Sequence, residues 1–564
     1  MGRSGAGSRP SEVRVRRTSA EQCASSSLNS MAGKGPTRAP PTRIGFARYD
    51  SRAMHKTFSL AALLLAGPLA AQSLTLDVVG GSLPGPLDIT LSSGSFGFTG
   101  VVILSVSPGP TNLFLIDPTD PRHLDVGLES LGISPIGPFD LSGKFKVPTL
   151  AVPNNPAFVD AAVFTQGISL PGSPYLVGPI SQPRPVRFAA AGAFRDRRTQ
   201  FITPRAFFPV LPLADHRWMI AGGGSGGLLS QAAQNTTEVY DPLTDAFTQG
   251  PTMNYEHSLH TATKLKDGRW FIACGVDRFN DPQGTCEVYE PSTHTFKKVA
   301  AGTDPRMGHT ATLLPSGKVL VTGGLSDLNA LSSPLDPIYS ALKSTEIYDP
   351  VSNTWANGPA MSIPRAGHGA ITLPDNRVLL CGGISYTTFI IKIPTVPVST
   401  EIYDPVTNTI SPGPNMSAGH AVFSAIEIAP GKHLIAGGIG ALSLTNQGTP
   451  TDVAEIYTAS SGAPGAFSPA GKLAKARGMH MAFALGSDRY LHVGGAEGAI
   501  FTPNALASTE IYTATTNTWS AGPTLNLSRS GYGAFLAPTG QIHLLGGGSG
   551  PGAPTVNFTE WYFR

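Results

Sequence analysis

The chain has 564 residues, of which only 14% are charged, and it contains 65 glycines, 50 prolines and four cysteines. This composition is too apolar for a disordered protein and too rich in turn residues for a helical one. The formal net charge is +3, but the surplus positive charge lies in residues 1–53. The rest of the chain has no basic surface that could neutralise phosphates, so nucleic acid is not expected as a partner.

Residues 54–71 are predicted to be a secretory signal peptide. A positive start at Met54 is followed by an apolar run from Phe58 to Ala66 and by small residues that end at Ala71. A buried core helix is the alternative. The run is too short to span a bilayer, which takes about 20 residues, and no later run is apolar for as many as about 18 residues, so the mature protein is expected to lack a membrane span. We expect residues 1–53 to be a disordered or untranslated leader, and the mature chain to begin near Gln72 and to be secreted, periplasmic or at the cell surface.

Residues 72–185 are predicted to form a small antiparallel β-sandwich. Short apolar or alternating runs, such as Leu74–Val79, Val101–Val106 and Ala162–Gln166, are separated by proline and glycine, and about seven such strands fit this length. The stretch Val152–Phe158 followed by Phe164–Gln166 resembles an immunoglobulin-like accessory module of secreted bacterial proteins. No residue pattern in this segment indicates chemistry.

Residues 186–564 contain seven repeats. An apolar run ends in a glycine pair at Gly222, Gly323, Gly382, Gly437, Gly494 and Gly546, and Cys274–Gly275 fills the remaining place. Each pair is followed by a glutamate, an aliphatic or aromatic residue and a tyrosine; the glutamates are Glu238, Glu287, Glu346, Glu401, Glu455, Glu510 and Glu560. A period of about 50 residues with four short strands, A to D, per unit predicts an all-β, seven-bladed β-propeller.

The register of strand A and the closure of the ring follow from the same spacing. Strand A is expected to begin 14 residues before the first glycine at Phe208, His260, His309, His368, His480 and Tyr532, whereas His420 stands 17 residues before it. The last unit stops after strand C, and an unpaired sheet edge is an aggregation hazard. We therefore expect residues 186–196 to supply the missing strand D.

Two stretches carry a family resemblance. Met307–Gly324 (MGHTATLLPSGKVLVTGG) and Ser344–Trp355 (STEIYDPVSNTW) resemble kelch repeats, and more closely those of bacterial kelch and galactose-oxidase-type propellers. The resemblance implies a kelch-type propeller over residues 186–564. It does not fix the activity, because such propellers include enzymes, sugar binders and protein-docking modules.

The polar repeat residues have two interpretations. Strands alternate in direction, so the B–C and D–A connections share one side of the ring, here called the B–C face. That face carries the seven glutamates and the arginines before strand A, namely Arg205, Arg306, Arg365, Arg477 and Arg529. They could ring a channel mouth and hold a metal or a sugar, but groups that recur in nearly every blade are expected to satisfy free backbone groups, so we favour a structural layer.

Three of the four cysteines, Cys274, Cys286 and Cys381, lie outside the predicted leader. Cys274 and Cys286 face each other across one hairpin and are expected to form a disulfide after export, while Cys381 lies in an apolar strand and is expected to be a buried thiol.

Galactose-oxidase-like enzymes use copper, two tyrosines, two histidines and a tyrosine–cysteine cross-link, with one histidine from a domain after the propeller. This chain ends in its seventh blade, so no cofactor or metal is expected; a sugar mutarotase-like activity stays open.

The predicted function is a non-catalytic binding module for an unidentified protein or glycan ligand. The B–C loop of the fourth blade, Ile384–Ser399, is more apolar than a solvated loop needs, and Tyr339 and Leu342 lie in the neighbouring loop. Exposed apolar patches usually mark contacts, although these loops could instead bury one another. The candidate ligand-binding residues are Tyr339, Leu342, Tyr386, Phe389, Ile390, Ile391 and Ile393.

Overall fold

The computed structural model describes residues 74–113, 118–127, 135–172, 174–213, 216–226, 232–242, 244–329, 333–550 and 555–564. The predicted leader and signal peptide lie outside these residues. The described residues form β-strands and two short 3₁₀ helices, at Pro156–Phe158 and Asp336–Ser340. Within these ranges no helix is long and apolar enough to cross a membrane.

The N-terminal part is a sandwich of two antiparallel sheets. Its strands are β1 Thr75–Val79, β2 Ser82–Leu83, β3 Gly85–Ser92, β4 Thr99–Ser105, β5 Pro108–Asn112, β6 His123–Val126, β7 Ile136–Pro138, β8 Phe145–Lys146, β9 Leu150–Val152, β10 Ala162–Leu170, β11 Arg184–Arg187 and β12 Ala189–Ala190. One sheet has the order β1-β3-β8 with β9 also on β3, and the other has the order β11-β10-β4-β7. Residues alternate between core and solvent, as in β1, so both sheets contribute to one core through Leu76, Ile89, Val102 and Val163.

The remaining strands form seven four-stranded antiparallel sheets and four two-stranded hairpins. In chain order they are β13 Ala193–Gln200, β14 Val210–Pro212, β15 Trp218–Ala221, β16 Gly224–Ser225, β17 Ala232–Ala233, β18 Thr237–Asp241, β19 Ala246–Gln249, β20 Thr261–Lys264, β21 Trp270–Ala273, β22 Cys286–Glu290, β23 Thr295–Val299, β24 Thr310–Leu313, β25 Val319–Thr322, β26 Thr345–Asp349, β27 Thr354–Asn357, β28 Gly369–Thr372, β29 Val378–Cys381, β30 Ser385–Thr388, β31 Lys392–Thr395, β32 Thr400–Asp404, β33 Thr409–Pro412, β34 Ser424–Ala429, β35 Lys432–Ala436, β36 Ile439–Ser443, β37 Asn446–Pro450, β38 Val453–Ser460, β39 Ala463–Lys472, β40 Met481–Gly486, β41 Arg489–Val493, β42 Ala496–Glu497, β43 Asn504–Ala505, β44 Thr509–Thr513, β45 Thr518–Ala521, β46 Gly533–Leu536, β47 Ile542–Leu545 and β48 Phe558–Phe563.

These sheets are the blades of the predicted propeller. Blades 1 to 6 have the orders β14-β15-β18-β19, β20-β21-β22-β23, β24-β25-β26-β27, β28-β29-β32-β33, β34-β35-β38-β39 and β40-β41-β44-β45, each read from strand A to strand D. Four B–C connections carry a hairpin of their own, formed by β16–β17, β30–β31, β36–β37 and β42–β43. Strands B, such as β25 and β29, are buried along their whole length, because each lies between two strands of its blade and two neighbouring blades.

Blade 7 is completed from the other end of the propeller. Its order is β13-β48-β47-β46, and β13 pairs antiparallel with the C-terminal strand, Ala193 opposite Phe563 and Asp196 opposite Glu560. The strand that supplies D therefore lies at 193–200, later than the predicted 186–196. Residues 184–187 pair with β10 in the sandwich, and β12 pairs with β2, so the last sandwich strand is nearly continuous with the first propeller strand.

Neighbouring blades are joined by one backbone hydrogen bond at the end of each strand B. The second residue of the glycine pair donates its N–H to the carbonyl oxygen of a residue four places before strand A of the next blade, or five places before it in blade 1. Gly324 donates to Arg365 at 2.8 Å, and Gly547 donates to Arg205 at 3.1 Å, which closes the ring. The other five bonds run from Gly223 to His257, Gly275 to Arg306, Gly383 to His420, Gly438 to Arg477 and Gly495 to Arg529.

A second ring of hydrogen bonds surrounds the axis. A residue two places before strand A, or three places in blade 1, has a positive φ; it is a glycine in three blades (Gly308, Gly367 and Gly531) and Phe207, Leu259, Val422 or Met479 in the others. Six of the seven donate their N–H to their counterpart in the preceding blade, as Val422 does to Gly367 at 2.8 Å. A β-branched residue such as Val422 is rare at positive φ. The ring therefore holds four apolar side chains around the axis in a conformation that costs strain.

The close contact between the first glycine of each pair and the next blade can be tested by a glycine-to-alanine substitution, which adds one methyl group. Gly323 has φ +60° and Gly268 has φ +90°, so alanine is strained at both, by about 1–2 kcal/mol. A Cβ at position 323 would lie 2.2 Å from the Arg365 carbonyl oxygen, whereas a Cβ at position 268 would meet nothing within 4 Å. We expect Gly323→Ala to lower the free energy of unfolding by about 1–3 kcal/mol more than Gly268→Ala, measured by urea titration. Equal losses in the two variants would contradict the blade contact.

Candidate functional site

Each blade holds one buried acid–base pair near the B–C face. Arg306 shows the arrangement: its Nη1 donates to the Gly323 carbonyl oxygen at 2.7 Å, and its Nη2 donates to Glu346 Oε2 at 2.7 Å. Arg205, Arg365, Arg477 and Arg529 bond the carbonyl of their own first glycine and their own glutamate in the same way. All five arginines are fully buried. The guanidinium thus satisfies the carbonyl that the left-handed glycine turns away from the sheet.

Two histidines take the place of arginine in the blades that lack it. His420 lies 2.7 Å from the Gly437 carbonyl oxygen through Nδ1 and 3.1 Å from Glu455 through Nε2. His257 lies 2.6 Å from the Cys274 carbonyl oxygen and 3.3 Å from Glu287. The repeat spacing alone does not reveal this role, because His420 stands 17 residues before the first glycine of its blade and therefore outside the register expected for strand A. The available signal was the separation of 17 residues from the carbonyl, which both histidines share with the arginines. Phe423 occupies the position that precedes strand A in blade 5.

The glutamates are also fully engaged. Besides the cation, each carboxylate accepts backbone N–H groups from the D–A connection that precedes its blade, as Glu510 does from Ala474 and Lys475 and Glu238 from Ile202 and Thr203. Burial by itself raises the pKa of Glu455, but the His420 imidazole and the N–H groups of Ser417 and Ala418 outweigh it and lower the pKa. Every member of the ring therefore has a partner within its own blade, which is the arrangement of a structural layer.

The buried ion pairs predict that removing a buried carboxylate lowers the free energy of unfolding much more than removing an exposed one. Removing one member of a buried ion pair costs about 3–5 kcal/mol, because the other charge stays buried without compensation. We expect Glu346→Ala to lower the free energy of unfolding by this amount. Asp452 pairs with Lys472 at 3.2 Å on the surface, with side chains 40% and 68% exposed, and we expect Asp452→Ala to cost less than about 1 kcal/mol. Urea titration of both variants checks this, and similar losses would refute the structural role of the layer.

The mouth of the axial channel opens on the B–C face. It is a cavity of ≈430 Å³, with the half-exposed Phe207, Leu259, Val422 and Met479 around it. Imidazoles at the starts of strands A form its wall, and they hydrogen-bond across blades: His309 Nε2 lies 2.9 Å from Thr261 Oγ1, and His480 Nε2 lies 2.8 Å from Ser424 Oγ. Among the described residues, no group of three or more His, Cys, Asp or Glu side chains is arranged to hold a metal ion.

Burial keeps these imidazoles neutral. It lowers the pKa of His309 to about 3, with the charge of Arg306 adding to the shift, and it lowers the pKa of His368 to about 3, with Arg365 adding to it. His368 Nε2 is 2.8 Å from the Thr322 hydroxyl. A neutral imidazole serves as a hydrogen-bonding link between blades, and its protonation would place an uncompensated charge in the core.

A pH dependence follows from these depressed values. An unfolded histidine titrates near pH 6.5, so the unfolded chain takes up protons that the folded chain refuses until about pH 3. The stabilisation is complete above about pH 6.5 and falls as the pH is lowered, by up to about 1.4 kcal/mol per pH unit for each such histidine. We expect His368→Gln to flatten this slope between pH 6 and 4, measured by urea titration. An unaltered slope in His368→Gln would contradict the assignment.

The predicted binding residues lie either around the base or at the tip of the fourth-blade hairpin. The fourth-blade loop is the hairpin β30–β31, in which Tyr386 is half-buried and its ring packs edge-on against Tyr339, with centroids 6.1 Å apart. Leu342 is half-buried and anchors its own loop by donating its N–H to the Gly324 carbonyl oxygen. Phe389 and Ile390 are 87% and 86% exposed, and Ile391 and Ile393 are exposed to a lesser degree. Tyr386 at the base packs against the apolar cluster of the B–C loops, and the tip residues are not part of that cluster.

The cysteines lie in the core. The structure has Cys274, Cys286 and Cys381 as buried free thiols. A hydrogen bond with the Cys286 thiol, together with burial, raises the pKa of Cys274 well above its ordinary value, and burial raises the pKa of Cys381 to about 12. Cys274 and Cys286 are therefore neighbours, as the hairpin geometry predicts, and their disulfide stays a prediction.

Comparison with known proteins supports the fold. A family model described as the Kelch motif matches residues 306–362, which cover blade 3. Among solved structures, a fungal alcohol oxidase of the AA5 family in complex with copper is similar, with a TM-score of 0.49 and 14% identity over 66% of this chain and 76% of that chain. No curated protein matches the sequence.

Among the described residues, the histidines and cysteines of the propeller do not fit a copper radical site. The imidazoles of His309, His368 and His480 direct Nε2 at hydroxyl groups of neighbouring strands, and Cys274, Cys286 and Cys381 lie buried inside blades. The chain is an all-β protein, in which a small antiparallel sandwich precedes a seven-bladed kelch-type β-propeller.

Proposed function

We propose that this chain is an exported, non-catalytic binding module whose B–C face binds a protein partner. The observation that carries the proposal is the tip of the hairpin β30–β31, where Phe389 and Ile390 are almost fully exposed and Ile391 is 54% exposed. Three consecutive large apolar side chains in water are unfavourable in a soluble protein, and such groups mark contact sites. Export rests on the predicted signal peptide at residues 54–71.

The hairpin presents its tip on a firm base. Its strands pair from Ser385 opposite Thr395 to Thr388 opposite Lys392. The Lys392 ammonium lies 4.5 Å from the centre of the Tyr386 ring and donates a hydrogen bond to the Tyr339 carbonyl oxygen at 3.1 Å. A tip held in this way loses little conformational entropy on binding, which favours affinity.

The base of the hairpin packs beside the channel mouth. Tyr386 packs in the same apolar cluster as Leu259, Val422 and Met479, the side chains around the mouth. The hairpin therefore rises from the apolar cluster that surrounds the mouth, so the B–C face offers both a projecting tip and a hollow. Such a surface fits a partner that offers one apolar side chain to the mouth and an apolar groove to the tip.

The sandwich contacts the opposite face at the A–B turn of blade 7. Gly80 donates its N–H to the Thr539 carbonyl oxygen in the A–B turn of blade 7, and the Gln541 amide donates to the Arg187 carbonyl oxygen. These contacts leave the B–C face available. A protein suits the tip better than a glycan, because isoleucine side chains offer sugar hydroxyls no hydrogen-bonding partner.

The carbohydrate-active alternative would need a free acid and base near the mouth. The glutamates and arginines of the B–C face are paired with one another, and the wall imidazoles are neutral with a strongly lowered pKa. General acid–base catalysis is most efficient with groups that titrate near the working pH. These observations favour the binding module over the mutarotase-like enzyme.

The binding surface can be tested by removing the tip. We expect Phe389→Ser with Ile390→Ser to abolish the selection of apolar peptides from a phage-displayed peptide library by the immobilised protein. The thermal unfolding midpoint should stay within about 1 °C, because exposed side chains contribute little to stability. Tyr386 is left intact because it supports the base of the hairpin.

The matched control removes equal apolar exposure from the other face. Val351 and Val406 are 93% and 91% exposed in C–D turns, and Val351→Ser with Val406→Ser should leave peptide selection unchanged. Enrichment that survives in the tip variant would contradict the proposed site. A glycan array carried out in parallel would favour the carbohydrate alternative if it showed binding that the tip variant retains.

A further inference from the structure

A small pocket lies where the sandwich meets the two ends of the propeller. It has a volume of ≈30 Å³ and is lined by Arg187 from β11, by His216 and Trp218 from blade 1, and by Gln541, His543 and Trp561 from blade 7. The pocket is therefore bounded by the sandwich and by the first and last blades. His543 and Trp561 are each only 1% exposed.

Several nitrogen atoms that face this pocket have no hydrogen-bond partner among the described residues. They are Arg187 Nε, Trp561 Nε1, both ring nitrogens of His543 and both ring nitrogens of His216. His216 Nε2 also lies 3.4 Å from a carboxylate oxygen of Asp241. Buried polar groups in native proteins nearly always have partners, so a convergence of unpartnered nitrogens from three elements indicates a ligand.

The aromatic stack around His543 fixes its imidazole. The ring stacks on Phe535, with centroids 4.5 Å apart and planes at 13°, and it contacts Trp561 at 4.2 Å. Burial lowers the pKa of His543 to about 3, and the charges of Arg197 and Arg187 add to the shift. The imidazole is therefore neutral and offers one N–H, beside the N–H groups of Trp561 and Arg187, which can only donate.

The local charge is positive. The guanidinium carbons of Arg187 and Arg197 lie 5.7 Å and 5.1 Å from the centre of the Trp561 ring. Arg197 is compensated by Asp160 and Asp245, whereas Arg187 has no ion pair among the described residues. The described lining contains arginines and no carboxylate.

We propose that this pocket binds a monovalent anion of halide size, held by Arg187, His543 and Trp561. Three donors and an uncompensated guanidinium match a ligand that only accepts hydrogen bonds. Water also fits the volume, since each water needs about 10–15 Å³ by this measure, but it must donate two protons where the lining is mainly donors. A polyatomic anion such as gluconate is too large for the pocket.

The anion would act as a structural link. It contacts β11 of the sandwich and strands B and C of blade 7, so its binding favours the closed ring over separated ends. The site is on the face opposite the proposed protein-binding surface, and it is independent of that function.

The test uses bromide, which scatters X-rays anomalously. Crystals of the full chain grown in sodium bromide should show an anomalous peak within hydrogen-bond distance of Trp561 Nε1 and Arg187 Nε. In solution, 100 mM sodium bromide should raise the thermal unfolding midpoint by about 2–4 °C relative to sodium gluconate at equal ionic strength. A pocket without bromide in crystals, or equal midpoints in the two salts, would overturn the proposal.

Variants separate this site from general salt effects. Arg187→Gln should remove the difference between bromide and gluconate. Trp561→Phe keeps the ring and deletes one donor, and it should weaken the apparent bromide affinity about 5- to 10-fold. Arg278→Gln removes an exposed arginine on blade 2 and should keep the full response. If Arg187→Gln fails to fold, the Trp561→Phe titration decides, and an unchanged affinity in it would count against the site.

Discussion

The propeller depends on a carbonyl group that a left-handed residue turns out of each strand B; this residue is a glycine in six blades and Cys274 in the other. This carbonyl oxygen is buried, so it needs a hydrogen-bond donor from the protein, because a buried acceptor without a partner costs free energy. Arginine supplies it in five blades and histidine in two, and the glutamate of strand C neutralises the arginine and accepts N–H groups from the D–A connection. One side chain thus ties together the end of strand B, the start of strand C and the approach to strand A.

The same residue also determines how the blades meet. Its side chain bonds its own blade, and its backbone carbonyl accepts the N–H of the preceding blade, as Arg365 does from Gly324. The Cβ of any other residue at Gly323 would strike that carbonyl, so the glycine is required for contact as well as for its φ. Closer to the axis, the ring of residues with positive φ also links neighbouring blades through backbone hydrogen bonds. It places Leu259, Val422 and Met479 around the channel mouth.

The two faces of the ring consequently have different roles. The face of the A–B turns receives the sandwich and the closing strand β13, and it contains the pocket bounded by Arg187, His543 and Trp561. The B–C face is formed by connections of unequal length, which pack on one another and leave one hairpin tip in water. Closure and binding are thereby separated on opposite sides of the same blades.

The sequence by itself determined the repeat, the blade count and the identity of the repeated charged residues, because glycine pairs and glutamates recur at a fixed period and need no distant contact to be recognised. It also indicated that an N-terminal strand must complete blade 7, but not its register: residues 184–187 and 193–200 are both short and polar-apolar mixed, and only pairing with β10 and with β48 separates them. The equivalence of His257 and His420 to arginine was visible only as a spacing. Which loop residues stay exposed, and which nitrogens of Arg187, His543 and Trp561 come together, depended on contacts between segments far apart in the chain, and these only the tertiary structure decided.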